Sequence, residues 1–180
     1  MKKLILTISM LLCLLIPNIA MSTVGSVVIS QKRLQIADSH PAEEVRQLIF
    51  TCTGDVTDGS IPDTTISASD MNFIRGWCLR KVEAYQTTVG VAPDADEASI
   101  FILDSDGMDL LGSEDGGTTP YAGKYMIHAT LKRMCFLNAY FPRAGLHANY
   151  YDPIVKLLTL RVIDQATASA DYTVVWTFTK

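Results

Sequence analysis

Hydrophobic and polar positions alternate most clearly in DYTVVWTFT, residues 171–179. One face of this segment would carry its large side chains, which are Tyr172, Val174, Trp176 and Phe178. A period of two is typical of a half-buried β-strand, whereas a helix would scatter these side chains around its axis. The preceding KLLTLRVID, residues 156–164, also has a strand pattern. Together the two segments predict a C-terminal β-hairpin joined by QATASA.

Other runs rich in Val, Ile, Thr and aromatic residues are separated by turn residues roughly every ten to fifteen positions. The predicted strands are residues 26–31, 45–53, 72–85, 98–104 and 108–112. Gly76 would mark a bulge or bend inside the third of them. Residues 54–63 contain two glycines and a proline and predict a dense turn. This spacing predicts an all-β chain folded as a single antiparallel β-sandwich of the Greek-key or jelly-roll kind.

The segment GKYMIHATLKRMCFLNAYF, residues 123–141, fits two patterns. Ile127, Leu131 and Met134 have the spacing of a helical stripe, whereas alternate residues from Ile127 onward would also fill one face of a strand. We predict a strand in the first half of the segment, with one short helix within residues 124–140 as the alternative.

The N-terminus has the pattern of a secretory signal peptide. MKK is followed by the uncharged run LILTISMLLCLLI, then by Pro17 and by small residues at Ala20 and Ser22. The run is shorter than the roughly 20 residues of a comfortable membrane span, although an uncleaved anchor is the alternative. We therefore predict a signal peptide at residues 1–22, a β-sandwich domain at residues 23–180, and a periplasmic or extracellular location.

Charge excludes two classes of partner. The chain has a net charge of −4 at pH 7, and removal of Lys2 and Lys3 with the signal peptide would make it more acidic. Nucleic acids and anionic membranes attract clustered lysine and arginine, so we expect neither a nucleic-acid partner nor membrane association after cleavage. The expected partners are proteins, through self-association or assembly.

If the protein is exported, its cysteines can form disulfides, because disulfides persist in oxidising compartments. Cys52, Cys78 and Cys135 would remain after cleavage, which allows one disulfide and one thiol. We favour a Cys52–Cys78 disulfide with Cys135 as the thiol. Such a bridge would close a loop of about 25 residues and contribute about 3 kcal/mol. The alternative is that all three are buried small hydrophobic residues.

The candidates for chemistry are few. Asp104, Asp106 and Asp109 lie close together in DSDGMD, but the glycine does not have the spacing of a helix-loop-helix calcium site, and the flanking residues are strand-like. An Asp-Gly pair between apolar runs predicts a hairpin turn at residues 106–107, with residues 100–103 paired to residues 108–111. The three carboxylates are therefore only weak candidates for metal ligands.

No nucleophile, phosphate-binding or zinc motif is present, so we predict no catalytic residues, no cofactor and no enzyme activity. One aromatic and polar cluster stands out in a predicted loop, where binding residues are commonly found. Its candidate residues for contact with a ligand or partner are His147, Tyr150 and Tyr151.

Three motifs occur in a fixed order: TGDVTDGSIPDTTIS at residues 53–67, GWCLRKVEA at residues 76–84, and ASIFILDSDGMDLLG at residues 98–112. In this order they resemble small β-rich proteins encoded in the structural regions of bacteriophages and prophages. The resemblance covers about residues 45–112, with a looser match at residues 156–180, and the individual motifs are short.

The resemblance implies a non-enzymatic structural or assembly component of a virion, at the tail or the particle surface, and it implies no catalytic residues. The signal peptide and the tyrosines of the predicted loop favour an alternative function. In that alternative the protein is a periplasmic or cell-surface binding module for a carbohydrate or a protein.

Overall fold

The computed structural model describes seven stretches of the chain, and at residues 36, 43, 135 and 136 it describes the backbone alone. The described residues are 24–36, 43–87, 90–93, 98–111, 127–129, 132–136 and 153–180. The predicted signal peptide lies outside them and stays a prediction. The candidate contact residues His147, Tyr150 and Tyr151 also lie outside them.

The chain folds into two antiparallel sheets that pack together, which confirms the predicted all-β sandwich. The five-stranded sheet has the order β1-β2-β8-β4-β6, and the three-stranded sheet has the order β3-β7-β5. The larger sheet consists of β1 (Ser26–Ile36), β2 (Glu43–Thr53), β4 (Cys78–Gln86), β6 (Arg133–Phe136) and β8 (Asp171–Thr179). The smaller sheet consists of β3 (Thr64–Thr65), β5 (Ser99–Asp104) and β7 (Leu158–Ile163).

Strand β8 lies at the centre of the larger sheet, between β2 and β4. Its inner face is fully buried, as the alternation predicts, through Tyr172, Val174, Trp176 and Phe178. The opposite face is buried as well, with Thr173, Val175 and Thr177 between 4% and 8% exposed. The sequence predicts a half-buried strand, but side chains beside β8 also cover its outer face. Gln47 Nε2 donates to Thr177 Oγ1 at 3.2 Å, and the hydroxyls of Thr87 and Thr173 are 3.2 Å apart, so the buried threonines keep hydrogen-bond partners.

The core lies between the two sheets. The Trp176 ring is 4.3 Å from the ring of Phe50 on β2, measured between centroids. The three-stranded sheet contributes Ile100, Ile102 and Leu160, each 0% exposed. Because burying one such side chain stabilises a fold by about 1.5–3 kcal/mol, this layer supplies the main attraction between the sheets.

One helix, α1 (Ala68–Ile74), occupies part of the segment predicted as a strand at residues 72–85. That prediction is wrong before Cys78, where β4 begins. A capping box starts the helix: the Ser67 hydroxyl accepts from the Asp70 amide, and the Asp70 carboxylate accepts from the Ser67 amide. Gly76 has φ +78° and forms a turn between helix and strand rather than a bulge.

The alternative of a short helix within residues 124–140 is not borne out in the part of that segment that the structure describes. Residues 133–136 form strand β6, which pairs with β4 through Met134 opposite Glu83. The predicted early strand falls partly outside the described residues, since only residues 127–129 of it are described, and these are not in a strand.

The predicted C-terminal hairpin is wrong. Both strands exist, but β7 pairs with β3 and β5 in one sheet, whereas β8 pairs with β2 and β4 in the other. Two residues in the connection have a left-handed backbone, Asp164 with φ 63° and Ser169 with φ 56°. The short connection therefore carries the chain from one layer of the sandwich to the other instead of reversing it within one sheet.

The predicted Cys52–Cys78 disulfide is also wrong. Cys52 lies opposite Tyr172 and Cys78 opposite Thr179, so the two cysteines flank opposite ends of β8. At about 3.3 Å per residue these ends are roughly 23 Å apart, whereas the Cα atoms of a disulfide lie within about 7 Å. Cys52 is a buried thiol, and its burial raises its pKa. The predicted thiol of Cys135 is a side chain outside the described residues.

Candidate functional site

The 104–111 loop follows β5 and contains the three candidate aspartates. The predicted turn at Asp106-Gly107 is confirmed: Gly107 has φ +82°, and its amide donates to the Asp104 carbonyl at 2.9 Å. Residues 108–111, the described part of the segment predicted as a strand at 108–112, do not form a regular strand. The predicted pairing with residues 100–103 is confirmed in part, through a bridge between Leu103 and Asp109 and a hydrogen bond from the Leu110 amide to the Ile102 carbonyl. The regular partner of β5 is β7.

Two of the aspartates hold the loop through its backbone. Asp104 Oδ1 accepts from the amides of Asp106 at 2.9 Å and Met108 at 3.0 Å. Asp109 Oδ1 accepts from the amides of Ile102 at 3.0 Å and Leu111 at 3.1 Å. Short polar side chains commonly make such bonds in turns, so these carboxylates have a local structural role.

Lys156 joins two of the carboxylates. Its Nζ lies 3.3 Å from Asp104 Oδ2 and also bonds Asp106. Burial alone would raise the pKa of Asp104, but the amides of Met108 and Asp106, together with Lys156, hold it below its usual value. Among the described residues, no group of three or more His, Cys, Asp or Glu side chains is placed to hold a metal ion.

The same loop covers the outer edge of β5. The Ile102 amide donates to Asp109 Oδ1, and the Ile102 carbonyl accepts from the Leu110 amide at 2.8 Å. The Asp104 amide donates to the Met108 carbonyl at 2.9 Å, and the Ala98 carbonyl accepts from the Ile127 amide at 3.3 Å. These alternate residues face away from β7, so at Ile102 and Asp104 the loop satisfies backbone groups that an edge strand would otherwise present, and Ile127 does so at Ala98.

The opposite situation holds at β1, the end strand of the larger sheet. It is 11 residues long and pairs with β2 over its whole length. Within the described stretches no strand lies on its other side. Val28 is 65% exposed, and its polar neighbours Ser30 and Lys32 are also exposed. We call the outer backbone of Ser26–Ile36 the β1 edge.

A group of basic and aromatic side chains lies at one end of the sandwich, next to the β1 edge. Arg33 on β1 lies opposite Arg46 on β2. The Arg46 guanidinium stacks 4.2 Å from the centroid of the Trp77 ring. It also lies 5.1 Å from the centroid of Phe73. The Arg33 guanidinium lies 5.4 Å from the same Phe73 ring.

A third cation completes this group, since Lys180 Nζ lies 5.6 Å from the Trp77 ring centroid. We call the five side chains the cationic cluster: Arg33, Arg46, Lys180, Phe73 and Trp77. One carboxylate, Glu44, bonds Arg46 Nε at 2.8 Å. That hydrogen bond, with the nearby charges of Arg33 and Lys180, holds the pKa of Glu44 below its usual value.

A second group of charges, on the outer face of the larger sheet, is arranged differently. Glu83 is 6% exposed, and its carboxylate bonds Lys81 and Lys132, each at 2.9 Å. Burial alone would raise the pKa of Glu83, but these two ammonium groups hold it below its usual value. The lysines act on a carboxylate of their own sheet, so this group is internal to the fold.

The cationic cluster was missed in the sequence because its members are far apart along the chain. Only the Lys32-Arg33 pair is visible locally, and strand alternation puts these two residues on opposite faces. The spacing of Ser67 and Asp70 matches a capping box, and this pattern could have predicted the start of α1, the helix that carries Phe73. The remaining contacts between members of the cluster depend on the pairing of β1 with β2 and on where β4 begins and β8 ends.

Comparison of the chain with models of protein families, with characterised proteins and with solved structures finds no match. Among the described residues, no helix has the length and apolar character needed to span a bilayer.

Proposed function

We propose that the protein is an exported, non-enzymatic β-sandwich that acts as a structural or assembly component of a phage-related particle. The β1 edge supports this proposal most directly. An unpaired strand is a template for pairing with a strand of another chain, and natural proteins commonly shorten, charge or cover their edges. Here no described strand pairs with the outer side of the 11-residue β1, whereas the 104–111 loop covers β5.

The order of motifs between residues 53 and 112 adds the phage-related part of the proposal. Those motifs form the turn after β2, the start of β4, and the covered edge of β5. All of them serve the architecture of the sandwich, in keeping with a structural role.

The alternative, a periplasmic or cell-surface binding module, depends on Tyr150 and Tyr151, which lie outside the described residues. Sugar platforms are built from exposed aromatic rings. The two tryptophans do not provide one, because Trp77 and Trp176 are 4% and 0% exposed. A protein ligand is therefore the better-supported version of this alternative.

A proline scan along residues 27–32 tests the assembly role. In an antiparallel strand, successive amides point alternately toward the partner strand and away from it. Proline at inward positions should lower the free energy of unfolding by about 3 kcal/mol. Proline at outward positions should weaken association and change stability less. Sedimentation equilibrium measures association, and urea unfolding measures stability.

The β1 edge is supported as the assembly surface if proline at outward positions weakens association and proline at inward positions lowers stability. Co-sedimentation with particles purified from cultures that carry the gene would support the phage-related role. A wild-type chain that stays monomeric at all concentrations and is absent from such particles would refute the proposal.

A further inference from the structure

We infer that the cationic cluster is a docking surface for a carboxylate-bearing segment of a partner protein. The inference rests on the assembly role proposed above, because it takes the ligand to be part of another protein chain. It adds the chemistry of that partner, which the β1 edge alone does not specify, since backbone pairing is nearly independent of sequence.

The stacking geometry leaves hydrogen-bond donors available. A guanidinium group that stacks on an aromatic face directs its N–H groups outward in the plane of the group. Arg46 stacks on Trp77 and uses Nε for Glu44 and Nη1 for the Phe73 carbonyl. Arg33 is exposed and its guanidinium lies over the Phe73 ring. An arriving carboxylate would therefore meet the edge of a planar fork, the geometry that favours paired hydrogen bonds.

The aromatic rings also hold the cations in place before a ligand arrives. Phe73 and Trp77 are 7% and 4% exposed, so they are fixed by packing. Long basic side chains lose conformational entropy when an interface immobilises them. Contact with fixed rings reduces that cost for Arg33 and Arg46, which makes this surface better suited to binding than freely moving surface lysines.

The balance of charge selects the class of ligand. Arg33, Arg46 and Lys180 all act on the carboxylate of Glu44, in a chain whose net charge is −4. A local excess of positive charge on an acidic protein favours a short anionic segment. A nucleic acid would instead be repelled by the rest of the surface.

Position links the cluster to the β1 edge. Arg33 is a residue of β1 itself, and its side chain lies on the face of the sheet that carries Phe50 and Trp176. A strand added to the β1 edge would run directly beside Arg33. Side chains of that strand at every second position would lie on the same face as the cluster.

Binding of two synthetic peptides tests the inference. One peptide alternates Glu with Thr, and its matched control alternates Gln with Thr. Wild-type protein, measured by calorimetry at low ionic strength and below its association concentration, should bind the Glu peptide about tenfold more tightly or better. The preference should decline as salt is added, because these charges are partly exposed.

Charge reversal provides the matched variants. Arg33→Glu and Lys180→Glu should each reduce affinity for the Glu peptide by about tenfold. Lys32→Glu changes the net charge equally at the adjacent residue, but that side chain lies on the opposite face, so affinity should stay within about twofold. Arg33→Gln removes the charge without reversing it and serves if Arg33→Glu fails to fold.

Equal affinity for the two peptides, or an equal loss in Lys32→Glu and Arg33→Glu, would overturn the inference. Sedimentation of the same variants separates this failure from failure of the assembly role. If the protein still associates but prefers neither peptide, the β1 edge remains the proposed assembly surface and the cationic cluster is rejected as a docking surface. If the protein neither associates nor binds particles, the proposed assembly role is rejected as well.

Discussion

The end strand β5 of the smaller sheet and the end strand β1 of the larger sheet differ in how their outer backbone is covered. On β5 the 104–111 loop folds back, and Asp109 and Leu110 satisfy the outward amide and carbonyl of Ile102. On β1 no described strand or loop does the same over 11 residues. Natural proteins protect edges against indiscriminate pairing, and the cover on β5 removes one of the end strands at which another chain could pair. The other end strands, β3 and β6, are only two and four residues long, so β1 is the longest described end strand.

The contrast between β5 and β1 indicates that the aspartate-rich 104–111 loop serves to cover β5. Its carboxylates accept backbone amides and pair with Lys156. A hydrogen bond from a buried amide is expensive to leave unmade, so the two bonds that Asp109 accepts from Ile102 and Leu111 are the ones that water cannot easily replace.

Asp109→Ala should have the largest effect, because it leaves the buried amides of Ile102 and Leu111 without their acceptor. The free energy of unfolding should fall by about 1–3 kcal/mol, measured by urea unfolding. Light scattering should also show new association through β5. Asp109→Asn keeps the Oδ1 acceptor and should retain most of the stability. Equal losses in both variants would show that charge, not the two hydrogen bonds, holds the loop.

Gly107→Ala and Gly76→Ala form a matched pair. Their φ angles are +82° and +78°, and a Cβ at either position would meet nothing within 4 Å. Each substitution should therefore cost about 1 kcal/mol, from the left-handed backbone alone. Only Gly107→Ala should speed hydrogen exchange of β5 amides, because only that turn covers β5. Equal exchange of β5 in both variants would argue against a covering role.

Acid should weaken the loop through Asp104. Since the folded pKa of Asp104 is lowered, its contribution to stability is present above the unfolded value near 3.9 and disappears as pH falls through the folded value. The stability difference between wild type and Asp104→Asn should be constant above about pH 5 and shrink toward pH 2. Urea midpoints across this range measure it. A difference that does not change with pH would contradict the ionised role.

Calcium should have no effect on the melting temperature. The ion takes 6–8 oxygen ligands, whereas Asp104 and Asp109 are engaged with backbone amides and Asp106 with Lys156. Thermal unfolding with calcium and with a chelator should therefore coincide. A calcium-dependent rise of several degrees would show that the loop opens to bind the ion.

The sequence was a good guide where side-chain periodicity decides the structure. Alternation in residues 171–179 correctly predicted β8 and its buried face, because a central strand must bury the residues that face the core. The turn at Asp106-Gly107 was also predictable, since glycine accepts the positive φ that the turn requires.

Pairing was not predictable from the same patterns. Periodicity shows that β7 and β8 are strands but not which sheet each one joins, and the connection at Asp164 and Ser169 changes layer. Residues 108–112 are apolar enough for a strand, yet within the described residues 108–111 only Asp109 forms a bridge to β5. The cationic cluster depends on such pairings, so it was visible only once β1, β2 and β4 were placed.

The central position of β8 also has a consequence for the order of folding. β2 and β4 do not pair with each other; each pairs with β8, which follows both in sequence. During synthesis the larger sheet stays divided into a β1–β2 pair and a β4–β6 pair until β8 has emerged. Closure then depends on contacts between distant residues, which is typical of folding in milliseconds to seconds. Until that step the nascent chain exposes Leu48 and Phe50, so chaperone binding before β8 emerges would protect it.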